Sequence, residues 1–398
     1  MTKPTQSTRR DFLTGAAAAD ALVDLAKATD PAKTSDGAYG ANGTYESHAS
    51  HDTSPTQEAE TRVGPSYLLE VGRTAMACEF QVFLNAGQHP TGADAALKAL
   101  DLVDALEDQL TVYRSHSEVS RLNQQAINGP IVVEKRLFDL FQLALRLSQE
   151  TNGAFDITTG VLTKTWGFYR RAGRFPDDAE IDAALERVGY SWLNLDPEKQ
   201  TVGFSRPIEI NLGAIGKGYT LDRCAELLAE EGITNYMIHG GMSSILARGS
   251  RSDIQGALMG DLAEKPGAEL PYWTVGLRHP FRPDQRLAEV RLRDRALGTS
   301  GSGTQFFYHE GKRYGHILDP RSGRPAQAVL SSTVLAPSAA VADALATAFF
   351  VLGFEASEAY CAAHPEVGAL LVLPTKRQGG VEIHALNLPD TDWSKSGE

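Results

Sequence analysis

The sequence predicts an α+β fold of mixed, mainly antiparallel sheets partly covered by helices, and three observations lead there. Short runs rich in β-branched and aromatic residues recur at 66–84, 273–278, 287–292, 305–309, 330–335 and 369–373. Many of them follow one another without an intervening helix, which favours antiparallel pairing. Two further stretches carry apolar residues at helical spacing. One is Leu97, Leu100, Val103, Leu106 and Leu110; the other is Leu137, Leu140, Phe141, Ala144 and Leu147, closing at Asn152-Gly153. Finally, 338–352 is apolar on nearly every face and therefore belongs inside. Ser338 suits its N-cap and Gly353 its stop.

From the N-terminus, residues 1–28 read as a twin-arginine export segment. Thr8-Arg9-Arg10-Asp11-Phe12-Leu13 has the motif, the alanine-rich run 15–28 supplies an apolar region, and Ala26-Lys27-Ala28 fits a small-residue cleavage site. Asp20 and Asp24 interrupt that run. The expected location is periplasmic or otherwise exported by the twin-arginine route, with the cytoplasm as the alternative if the signal is non-functional. Residues 29–65, poor in large apolar side chains, read as a flexible linker, and His48 and His51 within it as solvated. Residues 66–398 are the expected folded domain.

Composition fits an enzyme without identifying one. A chain of 398 residues with 42% hydrophobic content can bury a large core. Its net charge of −12 argues against a nucleic-acid or anionic-membrane surface, since phosphates are bound by basic patches. No stretch reaches transmembrane length. Three scattered cysteines, Cys78, Cys224 and Cys361, make neither a disulfide framework nor a zinc site, and read as small buried apolar residues.

The chemistry begins with the apolar helix. Asp343 and Thr347 lie four residues apart and so share a face, which sets a carboxylate beside a hydroxyl in low-dielectric surroundings. A buried carboxylate needs a positive partner: an arginine, or a hard cation such as Mg²⁺. Upstream, 207–212 reads as a strand, 213–218 as a glycine-rich turn, and 219–231 as a helix ending at Gly232. Such a turn lets main chain approach a ligand and aims a helix N-terminus at an anion, with Lys217 adding a full charge. It is not a P-loop: Gly218 follows the lysine, and Asn211 stands where the first glycine is required.

These segments together resemble the ApbE family of flavin transferases, which move FMN from FAD onto a hydroxyl of a target protein. Thr74-Ala75-Met76-Ala77-Cys78-Glu79-Phe80 looks like the family's opening strand, and Thr111-Val112-Tyr113-Arg114 with the segment 117–123 like its serine/tyrosine segment. Gly153-Ala154-Phe155-Asp156-Ile157-Thr158, Trp166-Gly167-Phe168, the block 211–222 and Ile238-His239-Gly240-Gly241 follow. Gly298-Thr299-Ser300-Gly301, the block 315–323 and the Asp343 helix complete a likeness that spans 67–388.

The resemblance implies an ApbE-like, T-fold-type architecture and Mg²⁺-dependent transfer of FMN to a Ser or Thr of an acceptor protein, with AMP released. It implies that Met76, Tyr113, Ala154, Phe155, Asp156, Asn211 and Ile317 line the flavin or adenine pocket. Lys217 would support the phosphate or flavin. Mg²⁺ would sit between phosphate oxygens, Asp343, Thr347 and the carbonyl of Ala214. His316 is the candidate proton acceptor, while Asp319 and Arg321 hold its loop through an ion pair and turn chemistry. Four positions depart from the pattern: Asn211 and Met242 stand where acidic residues are usual, and Ser302-Gly303 replaces an Asp-Tyr pair. Two other readings use the same residues, a FAD pyrophosphatase giving FMN and AMP, and a non-catalytic FAD-binding protein.

Overall fold

Eight strands pair antiparallel in chain order to make the main sheet: β1 (Leu68–Ala75), β2 (Cys78–Asn85), β3 (Tyr236–Gly240), β4 (Ser244–Arg248), β5 (Ala296–Gly301), β6 (Ser331–Ala336), β7 (Gly368–Pro374) and β8 (Val381–Leu386). This is a computed structural model, and it describes residues 67–251, 272–301, 303, 305–377 and 379–396. The expected export segment 1–28 and linker 29–65 lie outside the described residues, as does Ser302.

Alternation along the strands sends side chains to opposite faces. Ile245, Ala247, Leu297, Leu335 and Leu370 meet a three-stranded sheet built from Trp273–His279, Arg282–Leu292 and Trp393–Lys395. Their neighbours Leu246, Ala296 and Ala336 face helices α1 (Gly92–Leu110) and α3 (Gly216–Glu230), through Ala96, Leu100, Val103, Leu221 and Leu228. Helix α2 (Lys135–Glu150) closes a third layer with all five residues of its predicted stripe buried. The α1 stripe is shifted by comparison. Leu97 is 46% exposed, and Ala96 and Ala99 take the inward positions beside Leu100 and Val103.

Helix α4 (Ala339–Leu352) runs through the centre, and only Val341, Thr347 and Leu352 escape full burial. Its predicted caps hold. The Ser338 hydroxyl accepts from the Val341 amide, and Gly353 ends the helix at φ 81°. Burying Leu345 and Phe349 contributes about 2 kcal/mol each relative to exposure. Alanines and two glycines let the helix press on its neighbours. A Cβ on Gly218 would lie 2.1 Å from the Ala339 carbonyl oxygen, and one on Gly298 would lie 2.5 Å from the Ala342 carbonyl carbon. The backbones of α3 and β5 therefore touch α4 directly, the first one turn before Asp343 and the second at the peptide that leads into it.

Three local expectations are corrected. The run 66–84 is a hairpin rather than one strand, turning at Met76 and Ala77 with φ 49° and 59°. A two-residue turn that matches strand twist needs positive φ at both positions, normally supplied by Asn-Gly; here two residues with a Cβ adopt it. The stretch 207–212 is extended but joins no strand ladder beyond one bridge from Glu209 to Thr159. The Asn123 amide instead accepts from the Ile210 N–H at 2.7 Å and donates to its carbonyl at 2.9 Å, serving as a one-residue strand partner. Helix α3 starts at Gly216, not Tyr219, so Lys217 and Gly218 sit in its first turn.

Candidate active site

Asp343 is 7% exposed, and one of its oxygens is committed. Oδ2 accepts from the Gly218 amide at 2.7 Å and from the Ser244 hydroxyl at 2.8 Å. No hydrogen bond or arginine reaches Oδ1 among the described residues, which removes the guanidinium alternative there. Burial pushes this carboxyl up to about 6, against the opposing pull of Lys217, the Ser244 hydroxyl and the Gly218 amide. One turn on, the Thr347 hydroxyl is half-buried and shares a hydrogen bond with Ser300 Oγ of β5 at 3.0 Å.

Lys217 is the cation of the site. Its half-buried ammonium makes no hydrogen bond or ion pair among the described residues, and it lies within electrostatic reach of Asp343, His316 and Cys78. Helix α3 begins here, so the positive end of its dipole and Lys217 point an anion-attracting field at the same place. Asn211 closes the preceding turn, accepting from the Gly213 amide at 2.9 Å. Ala214 sits half-buried between Asn211 and the helix.

His316 ends a two-stranded hairpin of Phe306–His309 and Lys312–Gly315. Its Nδ1 lies 3.1 Å from the Gln305 carbonyl and Phe168 meets the ring edge-on at 6.4 Å. A carbonyl only accepts, so Nδ1 carries the proton and Nε2 presents a lone pair in the neutral ring. Burial holds its pKa below the usual histidine range and Lys217 adds to that effect, while the Gln305 carbonyl opposes it. The neutral, proton-accepting form is thereby favoured near pH 7. The next loop is fastened by a two-bond Arg321–Asp319 pair at 2.8 and 2.9 Å.

The remaining expected pocket residues divide into two groups. Met76 sits at the strained hairpin turn with its sulfur 3.8 Å from the Thr220 hydroxyl of α3. Tyr113 is 64% exposed and pairs with Tyr169 at 4.7 Å between centroids, leaving ring surface free for stacking. By contrast Ala154 and Phe155 are each 1% exposed and covered by protein, and Ile317 shares a small apolar cluster with Ala154. Asp156 spends both oxygens internally, on the amide and hydroxyl of Thr158 and on the Tyr190 amide. The structure thus joins Lys217, Asp343 and His316 in one electrostatic neighbourhood, puts Met76 beside the second turn of α3, and gives Asp156 a structural set of partners.

Sequence reasoning assigned nothing to Ser244, Ser300 or Asp222. Asp222 accepts from Ser338 Oγ, Ala339 N and Ala340 N at 2.7 to 2.9 Å, capping α4 from a different helix. Ser244 follows the Gly240-Gly241 pair, a hint of close approach that the sequence offered without naming the contact.

For the cation that the resemblance implies, the donor set is a test. Among the described residues no group of three His, Cys, Asp or Glu could hold a metal. The ligands would have to be one carboxylate oxygen, one hydroxyl and main-chain or substrate oxygens, a hard all-oxygen set that suits Mg²⁺. The uncommitted Oδ1 of a buried, half-satisfied carboxylate fits that role.

The ApbE family model matches residues 75–371. The FAD:protein FMN transferase of Treponema pallidum is 35% identical over 286 residues, 69% of this chain and 76% of that protein. The FAD:protein FMN transferase of Vibrio cholerae is 33% identical over 279 residues, 69% and 78% of the two. Among solved structures, the ApbE protein of Thermotoga maritima superposes with a TM-score of 0.68 at 28% identity, covering 80% of this chain and 97% of that one. The flavin transferase ApbE of Vibrio cholerae gives 0.68 at 27%, with 81% and 98% covered. The α+β expectation holds in this likeness, and the family's match takes in well over half of the sequence: the chain belongs to the ApbE family.

Proposed function

We propose that this chain is an FAD:protein FMN transferase that uses Mg²⁺, places FMN on a Ser or Thr hydroxyl of an acceptor protein and releases AMP. The relatives of that name support the reaction class. The observation that carries the metal-assisted form is Asp343, buried and tied down through Oδ2 while Oδ1 is left uncommitted one helical turn from Thr347.

In the transfer, the acceptor oxygen bonds to the FMN phosphorus. The bond from that phosphorus to the bridging oxygen breaks, and its electron pair leaves with AMP. Lys217 and the start of α3 hold the diphosphate by charge and dipole. Nε2 of His316 takes the acceptor's proton, its orientation fixed by the Gln305 carbonyl and Phe168. Tyr113 offers a face to a flavin or adenine ring. When bound, Mg²⁺ supplies Lewis-acid neutralisation of charge on the bridging oxygen, held by Asp343, Thr347 and the Ala214 carbonyl.

Incubation of the chain with FAD, Mg²⁺ and a candidate acceptor is the test. A covalently fluorescent acceptor that fails to form when EDTA is added is the expected result. Free FMN and AMP with no labelled acceptor would favour the hydrolase, and bound but unchanged FAD would remove enzymatic activity from the reading.

A further inference from the structure

Serines and threonines inside helices commonly turn the hydroxyl back onto the carbonyl four residues earlier. Ser148 of α2, Thr220 of α3 and Ser357 of the helix Phe354–Ala363 do so here, at 2.8, 2.8 and 2.6 Å. Thr347 does not. Its hydroxyl turns sideways to Ser300 Oγ of β5 at 3.0 Å, and among the described residues Ser300 is its one hydrogen-bond partner. The departure falls one helical turn from Asp343, whose Oδ1 is uncommitted.

A hydroxyl that gives a lone pair to a cation must still place its own proton. For Thr347 the acceptor within reach is Ser300 Oγ. Were the bond to run the other way, one Thr347 lone pair would be spent on Ser300, and the Thr347 proton would be left without a protein acceptor in a half-buried site. With Thr347 donating, both lone pairs of its oxygen stay free and the strand fixes the rotation that aims them. Strand β5 serves Asp343 as well. A Cβ on Gly298 would lie 2.6 Å from the Asp343 nitrogen, so the strand backbone abuts the residue that carries the carboxylate. Alternation puts positions 298 and 300 on one face of β5, the first against Asp343 and the second against Thr347.

We infer that Ser300 is a positioning residue of the transfer site: by accepting the Thr347 proton it aims the Thr347 lone pairs at a cation shared with Asp343. The inference rests on the metal-assisted reading above and adds to it a group outside the ligand set. Ser332 of β6 supplies the contrast. It stands directly opposite Ser300 in the strand pair and so on the same face, and its fully buried hydroxyl has no hydrogen-bond partner. Removing it takes a hydroxyl from the same layer without touching Thr347.

The probe is Mn²⁺, titrated into the full chain with the free ion read by electron paramagnetic resonance. Saturable one-site binding that Mg²⁺ competes away is expected. Ser300→Ala should weaken it about tenfold, the low end for a lost outer partner of a metal ligand, and Thr347→Val at least as much. Ser300→Thr keeps the hydroxyl and should stay within about threefold of wild type, and Ser332→Ala within about twofold. In transfer assays the Mg²⁺ concentration for half-maximal rate should rise in Ser300→Ala by the factor seen with Mn²⁺, while the rate at saturating Mg²⁺ is kept. A merely structural Ser300 would instead lower the melting temperature and leave the Mn²⁺ affinity of the folded chain unchanged. Wild-type Mn²⁺ affinity in Ser300→Ala, with Thr347→Val weakened, overturns the inference alone. So does an equal loss in Ser300→Thr or in Ser332→Ala, because the Ser300 hydroxyl is then not what matters. No saturable Mn²⁺ binding, or wild-type affinity in Thr347→Val, removes the metal from Thr347 and the inference with it.

Discussion

Asp222 and Asp343 are neighbouring carboxylates at the junction of α3 and α4, and the protein uses them differently. Asp222 distributes three hydrogen bonds over both oxygens, all to the first turn of α4. Asp343 takes two, both on Oδ2, from α3 and β4. Burial raises the pKa of each. The saturated group is a strut, whereas the half-saturated one has coordination capacity to spare. Hydrogen-bond accounting separates a saturated carboxylate from one with a free acceptor where burial and charge do not.

The sharpest way to break this contrast is Asp343→Asn. An amide keeps an oxygen for the Gly218 N–H and loses the charge. Cation-dependent transfer should fall on the order of 10²- to 10³-fold, the scale of a lost metal ligand. Unfolding free energy should change by no more than about 1 kcal/mol, because the neutral group also escapes the cost of charge burial. Wild-type turnover with Mg²⁺ in this variant would take the metal away from Asp343.

Asp222→Ala should show the opposite balance. Two α4 amides and the Ser338 hydroxyl lose their acceptor, so stability should drop by about 2 kcal/mol. Transfer activity per folded molecule, measured well below the unfolding midpoint, should stay within a few-fold of wild type on the same reasoning. A large activity loss with unchanged melting would erase the distinction between strut and ligand.

How much of this was readable beforehand follows from the range of the interactions. Helix α4, its caps and the shared face of Asp343 and Thr347 are local, set by a 3.6-residue repeat and two punctuating residues. The partners that give Asp343 and Asp222 their different roles come from 99 to 125 residues away, where no periodicity reports them. The hairpin at Met76-Ala77 escaped for another reason. It lacks turn residues, and its positive φ values are held by packing of Met76 against α3 rather than by local preference. The alternating apolar run at 208–212 has the pattern of a strand, but its hydrogen bonds are divided among the Asn123 side chain, the Ile157 carbonyl and the Gly160 amide rather than given to a ladder.

A half-satisfied buried polar group is not always a ligand, and His239 sharpens that limit. Its Nε2 pairs with Gln81 at 2.9 Å while Nδ1 is buried without a partner. Burial lowers its pKa below the usual 6.5, against a weaker opposing pull from Glu79. The folded chain therefore resists protonation more than the unfolded chain does. The stability that the neutral ring contributes is present above about pH 6.5 and is lost as pH falls through that value toward the lower folded pKa. His279 and His316 shift the same way, so His239→Gln should reduce the acid-side slope of stability against pH rather than abolish it. The effect should be smaller than that of Asp222→Ala, and transfer at pH 7.5 should not change. If the slope is unaltered while transfer is lost, His239 belongs with Asp343 among the working groups, and its empty nitrogen is a site in its own right.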